Sequence, residues 1–120
     1  MAAINGPTLL AVVALCPWPP YATFNHQVPT LIFTGQLDPI TPPGINGLHH
    51  YLNTPDTTPK LYYEVKGQSH WAANDPKEGN GEVGRYALGW LKTFLEGDER
   101  YRQFIAATPN AASRFDTNLK

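Results

Sequence analysis

The chain has 120 residues, a net charge of −1 and 42% hydrophobic residues, so it is long enough for one domain with a modest core. Near-neutral charge without a basic cluster removes the electrostatic case for nucleic acid or an anionic membrane surface as partner. A single cysteine, Cys16, excludes an intrachain disulfide, and the 12 prolines and 10 glycines fall between apolar runs, which is the pattern of a loop-rich globular chain.

Met1 to Gly6 reads as a frayed lead-in. The run Leu9-Leu-Ala-Val-Val-Ala-Leu-Cys16 is too short to span a bilayer and has no Lys or Arg before it. It is read as a buried parallel strand, Ala11 to Leu15, and not as the core of a signal peptide. Pro17, Pro19 and Pro20 end it and stiffen a connector through Asn25, with His26 as a solvated loop residue. Thr30 to Phe33 is a β-branched, apolar run of the length of a strand covered on both faces. Thr41, ahead of Pro42 and Pro43, suits a helix cap, and Ile45, Leu48, Tyr51 and Leu52 recur at helical spacing. Lys60 to Lys66 alternates and reads as a strand nearer the sheet edge. Val83, Tyr86, Ala87, Trp90, Leu91, Phe94 and Leu95 mark the clearest amphipathic helix, with Gly97 at its C′ position and Asp98 capping a short helix to about Ile105. Right-handed crossovers would make the three strands parallel neighbours.

Two side chains stand where chemistry is done in open α/β sheets, just past the carboxyl ends of strands. Asp38 follows the Thr30 strand, held off helical geometry by Pro39. His70 follows the Lys60 strand in Gly67-Gln-Ser-His70-Trp71. Adjacent parallel strands would bring carboxylate and imidazole within hydrogen-bond reach. An Asp before Pro also suits a plain turn, and a His after Gly a plain loop. His49 and His50 are adjacent, cannot share one helix face, and form no zinc pattern.

Several collinear segments resemble the bacterial cutinases and polyester (PET) hydrolases of the α/β-hydrolase superfamily. They are Pro17-Trp18, Val28-Pro-Thr-Leu-Ile32, Leu37-Asp-Pro-Ile-Thr-Pro42, Gly67-Gln-Ser-His-Trp-Ala-Ala-Asn74, Gly84 to Phe94 and Asp98 to Phe104. The resemblance implies that Asp38 is the triad acid and His70 the triad base, in the chain order Ser, Asp, His. It implies that Trp18, Ile40 and Trp71 line a cleft for an aromatic or acyl chain of an ester or polyester substrate, with no cofactor. Secretion follows from family habit alone.

One departure is large. No Gly-x-Ser-x-Gly turn precedes these segments, and the only serines are Ser69 and Ser113. Ser69 adjoins His70 and is badly placed to serve it. The expected fold is therefore a partial α/β-hydrolase fold, the last part of the sheet, with about three parallel strands, flanking helices and the nucleophile half absent. Residues 1–108 would form that portion and 109–120 a loosely held tail, because Ala106 stands near where relatives carry a cysteine that ties the tail. Gln36 and Lys66 replace the acids that hold calcium in some relatives, so no metal site is expected there. The chain alone should lack ester hydrolysis. The rival reading is an inactive hydrolase module that binds or dimerises through an exposed strand edge.

Overall fold

The computed structural model describes residues 9–18 and 27–120; the lead-in Met1 to Gly6 and most of the connector, His26 included, lie outside them. The described residues form a mixed, open four-stranded sheet in the order β1-β2-β3-β4. The strands are β1 (Val12–Leu15), β2 (Thr30–Gly35), β3 (Lys60–Val65) and β4 (Ala112–Thr117). Helix α1 (Gly47–Asn53) joins β2 to β3. Helix α2 (Glu82–Phe94) and helix α3 (Arg102–Ala106), the latter preceded by a 3₁₀ turn at Glu99–Tyr101, follow β3.

Strands β1, β2 and β3 are parallel, with Val12 opposite Thr30 and Thr30 opposite Lys60. Side chains alternate across the sheet, so each face gets its own core. On one face Leu31, Phe33, Leu61, Tyr63 and Val65 pack with Val83, Tyr86 and Trp90 of α2 and Ile105 of α3. On the other, Ile32 and Tyr62 meet Tyr51 of α1. Trp90 is fully buried and its indole N–H reaches Pro29 O at 3.4 Å, so it anchors α2 on the sheet as its place in the stripe predicts. Gly97 has φ +71°, the left-handed geometry of a helix C′ residue.

Four expectations change. First, β1 is a strand but not a buried one. It is the sheet edge among the described residues, paired only with β2, and Leu10 and Leu15 are more than half exposed. Second, β3 lies inside the sheet and not near its edge, because the segment expected to be loose forms β4 and pairs antiparallel with it. Third, that tail is tied along its length. The Glu82 carboxylate accepts the Asn110 and Ala111 amides, both at 2.9 Å, and the Tyr63 hydroxyl. Phe115 packs edge-on against Tyr63 and Tyr86. Asn118 accepts the Lys60 amide at 2.9 Å and donates to Thr58 O at 2.8 Å. A buried carboxylate and one aromatic thus hold the tail without a disulfide. Fourth, α1 begins at Gly47 and buries Gly47, His50 and Tyr51, leaving Ile45 and Leu52 exposed. The helix lies so close to β2 that a Cβ on Gly47 would meet Thr34 Cγ2 at 2.1 Å, which turns the Gly47 side inward.

Candidate active site

The site is built where β2 and β3 end. Past Gly35 the chain turns, with the Asp38 amide donating to Gly35 O at 3.2 Å. The loop after β3 is laced to this turn by three bonds: Gln36 N to Val65 O at 3.1 Å, Leu37 N to Gln68 O at 2.8 Å, and Gly67 N to Gln36 Oε1 at 2.8 Å. Gln36 fastens the two loops together through its amide and its side-chain oxygen. The fit is so close that a Cβ at Gly35 would lie 2.0 Å from Ser69 O. Only glycine admits the loop that carries His70.

This lacing brings Asp38 and His70 together. His70 Nδ1 lies 2.8 Å from Asp38 Oδ2. The Asp38 side chain is wholly buried and that of His70 is about one quarter exposed. Asp38 is also the hub of an Asx turn, in which Oδ1 accepts the amides of Ile40 at 2.7 Å and Thr41 at 2.9 Å. The Thr41 hydroxyl lies 2.8 Å from Asp38 Oδ2 and 3.1 Å from His70 Nδ1. So Thr41 does not cap α1; its hydroxyl is spent on the Asp–His pair.

Burial alone would raise the Asp38 pKa. The Thr41 amide and hydroxyl, His70 and the Ile40 amide outweigh it and hold the carboxyl below its ordinary value of 3.8. An ionised carboxylate can only accept, so the His70 Nδ1 beside it carries the ring proton. In the neutral ring Nε2 then holds the lone pair, the arrangement of a general base with an orienting acid behind it.

Of the residues expected to line a cleft, Trp71 packs edge-on against His70, with ring centroids 5.3 Å apart. Trp71 and His70 share a cavity of about 150 Å³ with Leu15, Cys16, Ala73 and Asn74. Trp18 and Ile40 are both at least 60% exposed and are not in its lining. Ser113 sits on β4 with its hydroxyl 2.6 Å from Glu64 Oε2, and Ser69 presses its carbonyl toward Gly35.

Two participants escaped the sequence reading. Thr41 suits a helix cap in the sequence, although a Thr three residues after an Asp is also an Asx-turn pattern. In the sequence Cys16 stands out only as the single cysteine, just past the Ala11 to Leu15 strand. The structure places its thiol, the Asp38 carboxylate and a His70 ring nitrogen all within 4.8 Å of one another. Burial, and then the Asp38 charge, push the Cys16 thiol up to about 11, so at neutral pH it is a protonated, poor nucleophile.

The chain is similar in sequence to several known proteins. Cutinase 1 of Thermobifida cellulosilytica is 36% identical over 104 residues, covering 86% of this chain and 38% of the cutinase. Cutinase est1 of Thermobifida alba is 34% identical over 113 residues, 93% of this chain and 37% of the relative. A bis(hydroxyethyl) terephthalate hydrolase of Streptomyces coelicolor is 30% identical over 109 residues, 90% of this chain and 34% of that enzyme. The chain thus spans about one third of the length of these relatives. The sequence profile described as PET hydrolase-like matches residues 1–120, and the chain, with its partial α/β-hydrolase sheet, belongs to that family of ester hydrolases.

Proposed function

We propose that this chain supplies the acid and the base of a serine carboxylic ester hydrolase. His70 Nε2 takes the proton of a serine hydroxyl as that oxygen attacks an ester carbonyl, then returns it to the departing alcohol. Asp38 keeps the imidazole in the Nδ1–H tautomer and stabilises the imidazolium formed midway. The 2.8 Å contact between a buried, ionised Asp38 and the Nδ1 of His70 carries this reading. The serine and the oxyanion-binding amides come from polypeptide matching the two thirds of the relatives that this chain does not span.

The substrate is an ester with an aromatic or bulky apolar acyl part. Exposed Trp71, packed on the His70 ring, and exposed Ile40, two residues past Asp38, offer stacking and apolar contact, and exposed Trp18 adds a further aromatic face. Relatives named for cutin and for bis(hydroxyethyl) terephthalate support this class. An insoluble polyester cannot enter a cell, so such an enzyme would work outside it.

The purified chain should not hydrolyse p-nitrophenyl butyrate. Exchanged for the matching segment of the Thermobifida cellulosilytica cutinase, it should restore hydrolysis, and His70→Ala in that chimera should lower kcat by roughly 10⁴-fold. Turnover by the chain alone that vanishes in His70→Ala would overturn the idea that the nucleophile lies elsewhere. A chimera indifferent to His70→Ala would overturn the role of His70.

A second reading has one observation in its favour. The β1 edge, paired only with β2 among the described residues and flanked by exposed Leu10 and Leu15, suits pairing with a second copy. A defined dimer in size-exclusion chromatography that is lost in Val13→Pro would support it.

A further inference from the structure

We propose that Cys16, Asp38 and His70 form a binding site for one borderline-soft divalent metal ion, with Zn²⁺ as the type. Their donor atoms, one sulfur, one carboxylate oxygen and one imidazole nitrogen, lie within 4.8 Å of one another. This set suits zinc or cobalt. Magnesium and calcium take mainly oxygen ligands, six or more of them, and are not served here. Around a tetrahedral zinc, with bonds of about 2.0–2.3 Å, donors stand roughly 3.3–3.7 Å apart. Adjustments of about an ångström therefore close the cluster on an ion.

The surroundings supply what the donors alone would not. Cys16 and Asp38 are buried at 8% and 4% exposure, so an ion held there is shielded from competing solvent. The Cys16 amide still donates to Phe33 O at 2.8 Å, so the sheet fixes the backbone that bears the thiol. Thr41 bonds the Asp38 carboxylate at 2.8 Å, an outer-shell contact of the kind that orients metal ligands. Cys16 and His70 both face the cavity of about 150 Å³ beside Trp71, which gives an ion an entry path and leaves room for a water as fourth ligand. On binding, the thiol proton passes to solvent and the thiolate bonds the ion; where Nδ1 is the ligating nitrogen, the His70 ring proton shifts from Nδ1 to Nε2 and the Nδ1–Asp38 hydrogen bond gives way to the ion, with no redox change. The site does not depend on the chain acting as an esterase, because binding can be read directly.

The test uses the full chain. Isothermal titration with ZnCl₂ should give one ion per chain, and CoCl₂ should raise a thiolate-to-cobalt charge-transfer band in the near ultraviolet. Cys16→Ser, checked for its fold by circular dichroism, should abolish the band and weaken zinc binding by at least about 100-fold. A measurement on the unaltered chain stands beside this. Cys16 is the only cysteine, so its alkylation by iodoacetamide should slow by about tenfold or more with Zn²⁺ and not with Mg²⁺. Binding that survives Cys16→Ser and is removed by His49→Ala, alkylation indifferent to Zn²⁺, or a cobalt complex without the charge-transfer band would each overturn the proposal.

Discussion

Replacing Gly35 by alanine is the sharpest perturbation of how the site is assembled. The added Cβ would lie 2.0 Å from Ser69 O, 2.7 Å from Gln68 O and 2.8 Å from Ser69 C. All three are backbone atoms, so no rotamer change relieves the clash. Ordinary contact begins near 3.4 Å, so the Ser69 carbonyl must retreat by about 1.4 Å. Gln68 O accepts the Leu37 amide at 2.8 Å, and Ser69 directly precedes His70, so the retreat pulls on the loop lacing and on the 2.8 Å Asp38–His70 bond together. Overpacking a buried site costs about 1–3 kcal/mol, and rigid backbone on both sides places Gly35→Ala near the top of that range. With a urea slope of about 1–2 kcal/mol per molar, the midpoint should fall by roughly 1.5–3 M. Tryptophan fluorescence reads the midpoint, and ¹H–¹⁵N spectra read the His70 loop. Gly44→Ala is the control, because a Cβ there meets nothing within 4 Å, and it should shift the midpoint little. Equal midpoints for Gly35→Ala and the parent, with the His70 resonances unmoved, would refute the claim that this contact sets the loop.

Three further outcomes are expected. Thr41→Val removes the hydroxyl that bonds Asp38 and His70, so stability should drop by about 1–2 kcal/mol, and the Asp38 carboxyl should titrate higher in a ¹³C NMR titration. Glu82→Gln should cost about 1–2 kcal/mol at neutral pH and raise amide exchange at Asn110 and Ala111. Burial would raise the Glu82 pKa, but the Tyr63 hydroxyl, the two tail amides and Arg85 hold it below the ordinary 4.5. Its contribution is therefore complete above about pH 4.5 and lost as pH falls through the depressed folded value, so the gap between parent and Glu82→Gln should close on acidification. Phe115→Ala should destabilise by about 2–4 kcal/mol in urea unfolding, since that ring is the apolar link from β4 to Tyr63 and Tyr86.

The parts of this molecule visible in sequence are those written in local pattern. Thr30 to Phe33 and Leu61 to Val65 are apolar runs of strand length, and the Val83–Trp90–Phe94 stripe is a helix period; each becomes the expected element. Asp38 and His70 were legible because parallel neighbours end at one rim, so two strand ends fix two loops. What was missed depends on distant partners. Ala112 to Thr117 carries little apolar pattern, and it becomes a strand because Glu82 and Tyr63, far back in the chain, bind its lead-in and its one aromatic. The inward face of α1 is set by how closely Gly47 approaches Thr34, which side-chain hydrophobicity does not encode. Cys16 joins Asp38 and His70 across 22 and 54 residues of sequence, a separation no metal-ligand spacing rule covers.

Everything said of function rests on one hydrogen bond, from the His70 Nδ1–H to the Asp38 carboxylate. Proton NMR of the ¹⁵N-histidine-labelled chain observes it directly. The account predicts a strongly deshielded imidazole N–H, assigned to His70 Nδ1, that survives at neutral pH and disappears in Asp38→Ala. A His70 ring protonated at Nε2 instead, or an Nδ1–H signal unchanged by Asp38→Ala, would contradict it.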